Sequence, residues 1–163
     1  MKQKMAGLID RLRENGHPSR EEFETAASEL LAWRERNGLK GLWNNPPLMI
    51  TATLDDAMGH GLALIHPFAE AAGLQVVSLG LLQPPETIIG ACRTQHASFL
   101  GLTVLQFDTE EALGTVCRGL PRQTVCVAGG PVFRADPELA ARAGVHHVAR
   151  DAAAFWEILL QYA

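Results

Sequence analysis

Leu48-Met49-Ile50-Thr51-Ala52-Thr53-Leu54-Asp55-Asp56-Ala57-Met58-Gly59-His60-Gly61 is the stretch that decides the fold of this chain. Residues 48–54 are apolar or β-branched with almost no alternation, the pattern of a strand covered on both faces. The acidic pair and two glycines then interrupt the run, and residues 61–72 follow with helical spacing until Gly73 closes them. Strand, glycine-bearing turn and helix in that order make one β-α unit.

Working outward, the unit recurs. Further strands are expected at 74–79, 98–104, 124–128 and 145–148, and helices at 86–94, 109–118, 137–143 and about 151–162. Five β-α units in the segment 48–163 indicate an α/β domain with a doubly wound, five-stranded parallel sheet. The flavodoxin-like strand order 2-1-3-4-5 is expected at this size. Upstream, residues 1–40 are helical in pattern. Leu8, Ile9 and Leu12 form one stripe, Gly16 and Pro18 stop it, and Ser19 with Glu22 has capping-box spacing. Phe23, Ala26, Ala27, Leu30, Leu31 and Trp33 repeat at helical intervals before Gly38, and that stripe should bury against the α/β domain or a second subunit. Residues 41–47, with Asn44-Asn45-Pro46-Pro47, read as a linker.

Composition narrows the function classes. The chain has 163 residues, 47% of them hydrophobic, enough for one substantial core. A net charge of −4 offers no basic field for nucleic acid. No apolar run is long enough to span a bilayer, and the N-terminus leads into amphipathic sequence rather than a signal peptide. Cys92, Cys117 and Cys126 lack C-x-x-C spacing and read as reduced, mostly buried thiols of a cytoplasmic protein. Neither a nucleophile–base pair, a phosphate-binding glycine fingerprint nor a zinc spacing is present.

In a 2-1-3-4-5 sheet the order reverses between the first and third strands, and ligands bind at the carboxyl edge there. Three elements should meet at that point: Asp56–Gly61 after the first strand, Thr103-Val104-Leu105 ending the third, and Gly129-Gly130 after the fourth. Glycines there allow close approach, and Thr103 brings a hydroxyl into an apolar strand. His146-His147 should point to opposite faces, and His66 and His96 read as structurally bonded or solvated imidazoles. Asp108, Glu110 and Glu111 read as the acidic first turn of a helix.

Taken together, residues 48–162 resemble a cobalamin (B12)-binding domain of the methionine synthase, corrinoid-protein and B12-dependent mutase type, whose signature runs D-x-H-x-x-G, S-x-L and G-G. Asp56, Gly61, Thr103, Leu105, Gly129 and Gly130 stand at matching positions. The resemblance implies a cobalt-bearing corrinoid cofactor, hence metal-ion binding, held base-off with its nucleotide tail threaded against the sheet. One position departs: Met58 stands where the family's histidine ligates cobalt. A thioether cannot be oriented by Asp56 as an imidazole N–H would be, so the carboxylate–imidazole–metal chain is broken.

Four readings remain open. The cleft holds a corrinoid with no protein axial ligand; His60 substitutes for the missing histidine; Met58 itself ligates; or the cavity serves another tetrapyrrole, such as haem, or a protein partner. By resemblance, the N-terminal helices form a truncated cap or an oligomerisation arm. A lone domain of this kind lacks the catalytic partner that methyl transfer or radical rearrangement needs. It is therefore expected to be an accessory carrier or a subunit working with a methyltransferase or mutase. The alternative is a sensor or regulatory domain of the same fold.

Overall fold

In the computed structural model, which describes residues 1–14, 16–56 and 60–163 (His60 by its backbone alone), five parallel strands form one sheet in the order β2-β1-β3-β4-β5. The strands are β1 (Leu48–Thr53), β2 (Gln75–Gly80), β3 (Phe99–Thr103), β4 (Val125–Gly129) and β5 (His147–Val148). The helices are α1 (Lys2–Glu14), α2 (Arg20–Arg36), α3 (His60–Ala72), α4 (Pro85–Thr94), α5 (Glu110–Gly119), α6 (Val132–Ala135), α7 (Leu139–Ala143) and α8 (Ala152–Gln161). This is the doubly wound, flavodoxin-like order that the β-α alternation predicts.

The sheet separates two apolar clusters. On one face Ile50, Leu100, Leu102, Cys126 and Ala128 pack beneath α4 and α5 with Ile88, Cys92, Leu113 and Val116. On the other, Met49, Phe99 and Val127 meet Phe68 of α3 and Phe155, Trp156 and Leu159 of α8. Both faces of the central strands are thus buried, which explains their continuous apolar runs.

The N-terminal helices extend the second cluster. Met5, Leu8, Ile9 and Leu12 of α1 and Phe23, Ala26, Ala27 and Leu30 of α2 are buried in it. α1 packs on α8 and α2 packs on α3. The Phe68 ring lies 4.3 Å from that of Trp156 and 6.0 Å from that of Phe23, while Trp156 Nε1 donates to the Phe68 carbonyl at 2.9 Å. The α2 stripe is therefore satisfied within its own chain at Phe23 and Leu30, with Leu31 partly buried beside them. Ser19 and Glu22 form the expected capping box.

Apart from one-residue shifts at element ends, three differences from expectation stand out. β5 shrinks to two residues because His146 Nδ1 accepts the Cys126 N–H at 2.9 Å, so a side chain takes the place of a ladder carbonyl. α7 begins at Leu139 rather than 137, since Asp136 Oδ1 accepts the Glu138 N–H in a local turn. The single-turn α6 was not expected, being too short to show periodicity. No helix among the described residues is long and apolar enough to cross a membrane.

Candidate functional site

At the carboxyl edge, backbone and carboxylate bonds tie together the turns after β1, β2 and β3, and the Val104 N–H donates to the Gly129 carbonyl at 2.9 Å to join the end of β4. Asp55 is buried, and its Oδ2 accepts the backbone N–H groups of Leu105 (2.7 Å) and Gln106 (3.1 Å). Thr53 Oγ1 donates to the Asp55 carbonyl at 2.6 Å and accepts from Leu82 N at 3.2 Å. Asp55 therefore fixes the turn after β3, and the Thr53–Asp55 backbone fixes the turn after β2. Asp56 is exposed, and its Oδ1 accepts from the Gln106 side chain at 2.9 Å.

These turns frame a cleft of about 560 Å³ on the α3/α8 face of the sheet. Its size falls within the usual range for small-molecule and cofactor sites. Asp56, Gly61, Thr103, Leu105, Gly129 and Gly130 all line it, so six of the eight predicted residues converge. Met58 lies outside the described residues, and of His60 only its place at the start of α3 is described.

The cleft reaches deeper than the motif edge. Gly101 and Val127 line it, and they pair across β3 and β4 two residues below Thr103 and Gly129, about 7 Å down the strands. A Cβ built on Gly101 would sit 2.4 Å from the Met49 terminal methyl, so the missing side chain is what lets Met49 lie over β3 at the floor of the cleft. Leu62, Leu64 and Ile65 of α3 and Ala152 and Phe155 of α8 form the walls. Gly101, Met49, Phe155 and Asp55 were not singled out from sequence. A glycine inside an otherwise apolar strand was the available signal for Gly101.

Two glycines are required by contact. A Cβ on Gly61 would lie 2.6 Å from both Oγ1 and Cγ2 of Thr103, so α3 starts directly against the end of β3. Gly130 has φ +134, and a Cβ there would fall 2.0 Å from the Val104 carbonyl oxygen. The Gly129-Gly130 pair therefore locks β4 against the end of β3, besides clearing the cleft. Thr103 Oγ1 has no hydrogen-bond partner among the described residues and faces a mostly apolar cavity. Such a hydroxyl can orient a ligand.

The imidazoles outside this edge are structural. His66 Nε2 pairs with Thr51 Oγ1 at 2.8 Å, and His147 Nε2 pairs with the Tyr162 hydroxyl at 2.6 Å. Burial holds both below the ordinary histidine value; Glu70 opposes the shift at His66, and His146 adds to it at His147. No cluster of three or more His, Cys, Asp or Glu side chains suited to a metal ion occurs among the described residues.

Four large apolar side chains crowd the rim in partial exposure. They are Leu81 and Leu82 after β2, with Leu105 and Phe107 after β3. Leu82 has φ +53, a left-handed conformation held by the Thr53 and Asp55 bonds to its N–H.

No protein-family profile and no curated protein matches the chain. Solved structures do. A cobalamin-binding protein from Desulfitobacterium hafniense superposes with TM-score 0.81 at 18% identity, covering 98% of this chain and 79% of that one. The monomethylamine corrinoid protein of Methanosarcina barkeri gives TM-score 0.63 at 19% identity, over 88% and 68%. A methanol:cobalamin methyltransferase complex from the same organism gives 0.63 at 18%, over 98% and 64%. At such identities the likeness establishes the fold: this chain shares the architecture of cobalamin-binding and corrinoid proteins.

Proposed function

We propose that this chain binds a corrinoid, with the nucleotide tail in the cleft between α3 and α8, and that it serves as a carrier or subunit for a methyltransferase or mutase. The observation that carries the reading is the apolar cleft itself, which descends from the motif edge over Gly101 and Val127. The residues fit the group. Gly101 and Met49 form a low apolar floor that a side chain at 101 would raise, and Gly61 and Thr103 stand at the mouth of the cleft. Leu62, Ile65 and Phe155 offer apolar walls to a flat heterocycle, while Thr103 Oγ1 offers a hydrogen bond to its tail. A bound corrinoid would supply the organometallic cobalt chemistry; this chain's residues would anchor it, exclude water from its tail and present one face of the ring at the rim.

With Met58 at the axial position, tail insertion rather than histidine ligation carries the affinity, and the corrinoid is held base-off without a protein ligand from below. His60 as a substitute ligand and Met58 as a weak one are tested alongside. Residues 1–40 act as a buttress behind α3 and α8 rather than a cap over the ring, since no described residue of α1 or α2 contributes to the cleft except through the Arg13–Asp151 ion pair at 2.7 Å. A cytoplasmic location accords with the three free thiols.

The test is retention of hydroxocobalamin after desalting, read as a corrinoid absorbance spectrum, with cobinamide, which lacks the nucleotide tail, as comparator. Cobalamin retained in the base-off form and cobinamide lost is the expected pattern. No corrinoid retained at all sinks the proposal. A spectrum changed by His60→Ala would reassign the axial ligand, and one changed by Met58→Ala would assign it to the thioether.

A second reading rests on one packing fact. The helices flanking the cleft are the two on which α1 and α2 rest. A ligand that spreads α3 from α8 would therefore shift the N-terminal pair, as a sensor requires. Haem titration tests its tetrapyrrole form, and absence of a retained Soret band rejects it.

A further inference from the structure

Outside the cleft, on the α4/α5 side of the sheet, two cysteines nine residues apart meet across an element boundary. Cys117 lies on α5 and Cys126 in the middle of β4, with their Sγ atoms 3.9 Å apart. Cys126 is fully buried, whereas Cys117 is only partly covered and reachable from solvent. The third cysteine, Cys92 on α4, is buried too and lies near enough to Cys126 to raise its value, without a sulfur–sulfur hydrogen bond to it.

We propose that Cys117 and Cys126 form a reversible, oxidant-responsive dithiol, with Cys117 as the attacking thiol and Cys126 as the one that closes the disulfide. The arrangement meets the requirements of such a pair: one accessible sulfur, and a second sulfur close behind it. A disulfide places the sulfurs about 2.05 Å apart, so the two must close by less than 2 Å from their present 3.9 Å. The electrostatics point the same way. The sulfur–sulfur hydrogen bond lowers the Cys117 value, burial opposes it, and the Arg118 charge assists. Cys126 is raised well above the ordinary range by the same bond and by burial. Burial alone raises Cys92 to about 11, which keeps it an unreactive thiol.

With hydrogen peroxide as oxidant the chemistry balances in two steps. The Cys117 thiolate attacks one peroxide oxygen; the S–O bond forms, the O–O bond breaks, and hydroxide leaves and is protonated to water. The Cys126 sulfur then attacks the Cys117 sulfenic acid. The S–S bond forms, the S–O bond breaks, and a second water departs with the Cys126 proton. Two thiols and one peroxide give one disulfide and two waters, and an external dithiol reverses the change. The bond would join α5 to β4 three residues before Gly129 at the cleft.

The experiment uses the reduced full chain. It is exposed to a few equivalents of hydrogen peroxide under native conditions, then denatured, alkylated and mapped by mass spectrometry. The expected result is a crosslinked peptide pair containing Cys117 and Cys126, the loss of two hydrogens, and alkylation of Cys92 alone. Dithiothreitol should restore three alkylatable thiols. Cys126→Ser should leave a Cys117 sulfenic acid that dimedone traps, and Cys117→Ser should slow the peroxide reaction at least tenfold. A parallel reaction in guanidinium should be slower and less selective, keeping only the modest preference that the shorter loop between 117 and 126 confers. Three alkylated thiols after native treatment, a Cys92 crosslink, or an unchanged rate in Cys117→Ser would each overturn the proposal.

Discussion

Adjacent glycines at 129 and 130 provide a matched experiment, because only one of them is held by strain and contact together. Gly130 has φ +134, where a residue bearing a Cβ costs about 1–3 kcal/mol. Its added methyl would also lie 2.0 Å from the Val104 carbonyl oxygen, about 1 Å inside the closest approach that real side chains make. Backbone lies on both sides of that overlap, so relief requires β4 to part from the end of β3, at about 1–3 kcal/mol more. Gly130→Ala should therefore lose about 2–6 kcal/mol, a large share of the roughly 5–15 kcal/mol stability of an ordinary domain. Gly129 has no such φ, and its added Cβ would sit 3.0 Å from the Ala149 carbonyl oxygen, so Gly129→Ala should cost about 1 kcal/mol or less. Urea unfolding followed by circular dichroism reads both, and the melting temperature of Gly130→Ala should fall by roughly 10 °C. Equal losses in the two variants would refute the argument. Gly130 would then owe its place to the ligand rather than to packing.

Three further outcomes follow from particular contacts. Gly101→Leu should displace the Met49 methyl and fill the cleft, costing about 1–3 kcal/mol of stability while the chain stays folded by circular dichroism, and should abolish corrinoid retention; retained cobalamin would mean that the tail goes elsewhere. Asp55→Ala should cost about 2–5 kcal/mol by stranding the Leu105 and Gln106 N–H groups, whereas Asp56→Ala, exposed and holding one side-chain amide, should cost under about 1 kcal/mol; a urea midpoint series separates them. His66 and His147 have folded-state values depressed chiefly by burial. As pH falls through about 6.5 the unfolded chain takes up protons that the folded chain resists, so stability should decline from pH 7 toward 5.5. The double variant His66→Gln, His147→Gln should flatten that decline in urea midpoints, and an undiminished slope would assign it to other groups.

The sheet was legible because its strands are buried on both faces, and continuous apolar runs such as Leu48–Thr53 are hard to mistake once glycines and helical spacing separate them. Convergence of Asp56, Thr103 and Gly129-Gly130 was equally legible, since it follows from strand order alone. What stayed hidden depends on contacts between distant residues. That Gly101 makes room for a neighbouring side chain at the cleft floor is known only once Met49 is seen reaching over it from β1. Asp55 looks like half of an acidic pair until its oxygen is found holding the turn after β3. The short β5 reflects a ring nitrogen of His146 acting as a strand acceptor, which no propensity encodes. Cys117 and Cys126 show no spacing motif because α5 and β4 bring them together through the fold, not through sequence.

Position 58 and the cleft bear on different parts of the binding free energy. The described walls and floor come from α3, α8 and the ends of β1, β3 and β4. A nucleotide tail that buries about 200 Å² of apolar surface there gains about 5 kcal/mol at about 25 cal/mol per Å². That is a factor of roughly 10³–10⁴ in dissociation constant, from which ordering costs must be subtracted. None of this gain requires an axial imidazole. Axial ligation acts instead on the metal, through the basicity of the ligand and the carboxylate that orients it. Affinity and cobalt electronics should therefore be separable in this chain. Met58→His would place an imidazole two residues from Asp56, the motif spacing, and should move the bound corrinoid spectrum toward a histidine-ligated form while changing retention less than tenfold. Gly101→Leu should do the opposite, removing retention whatever stands at 58. If Met58→His were needed before any corrinoid stayed bound, the tail cleft would not be the principal anchor, and the division of labour argued here would fail.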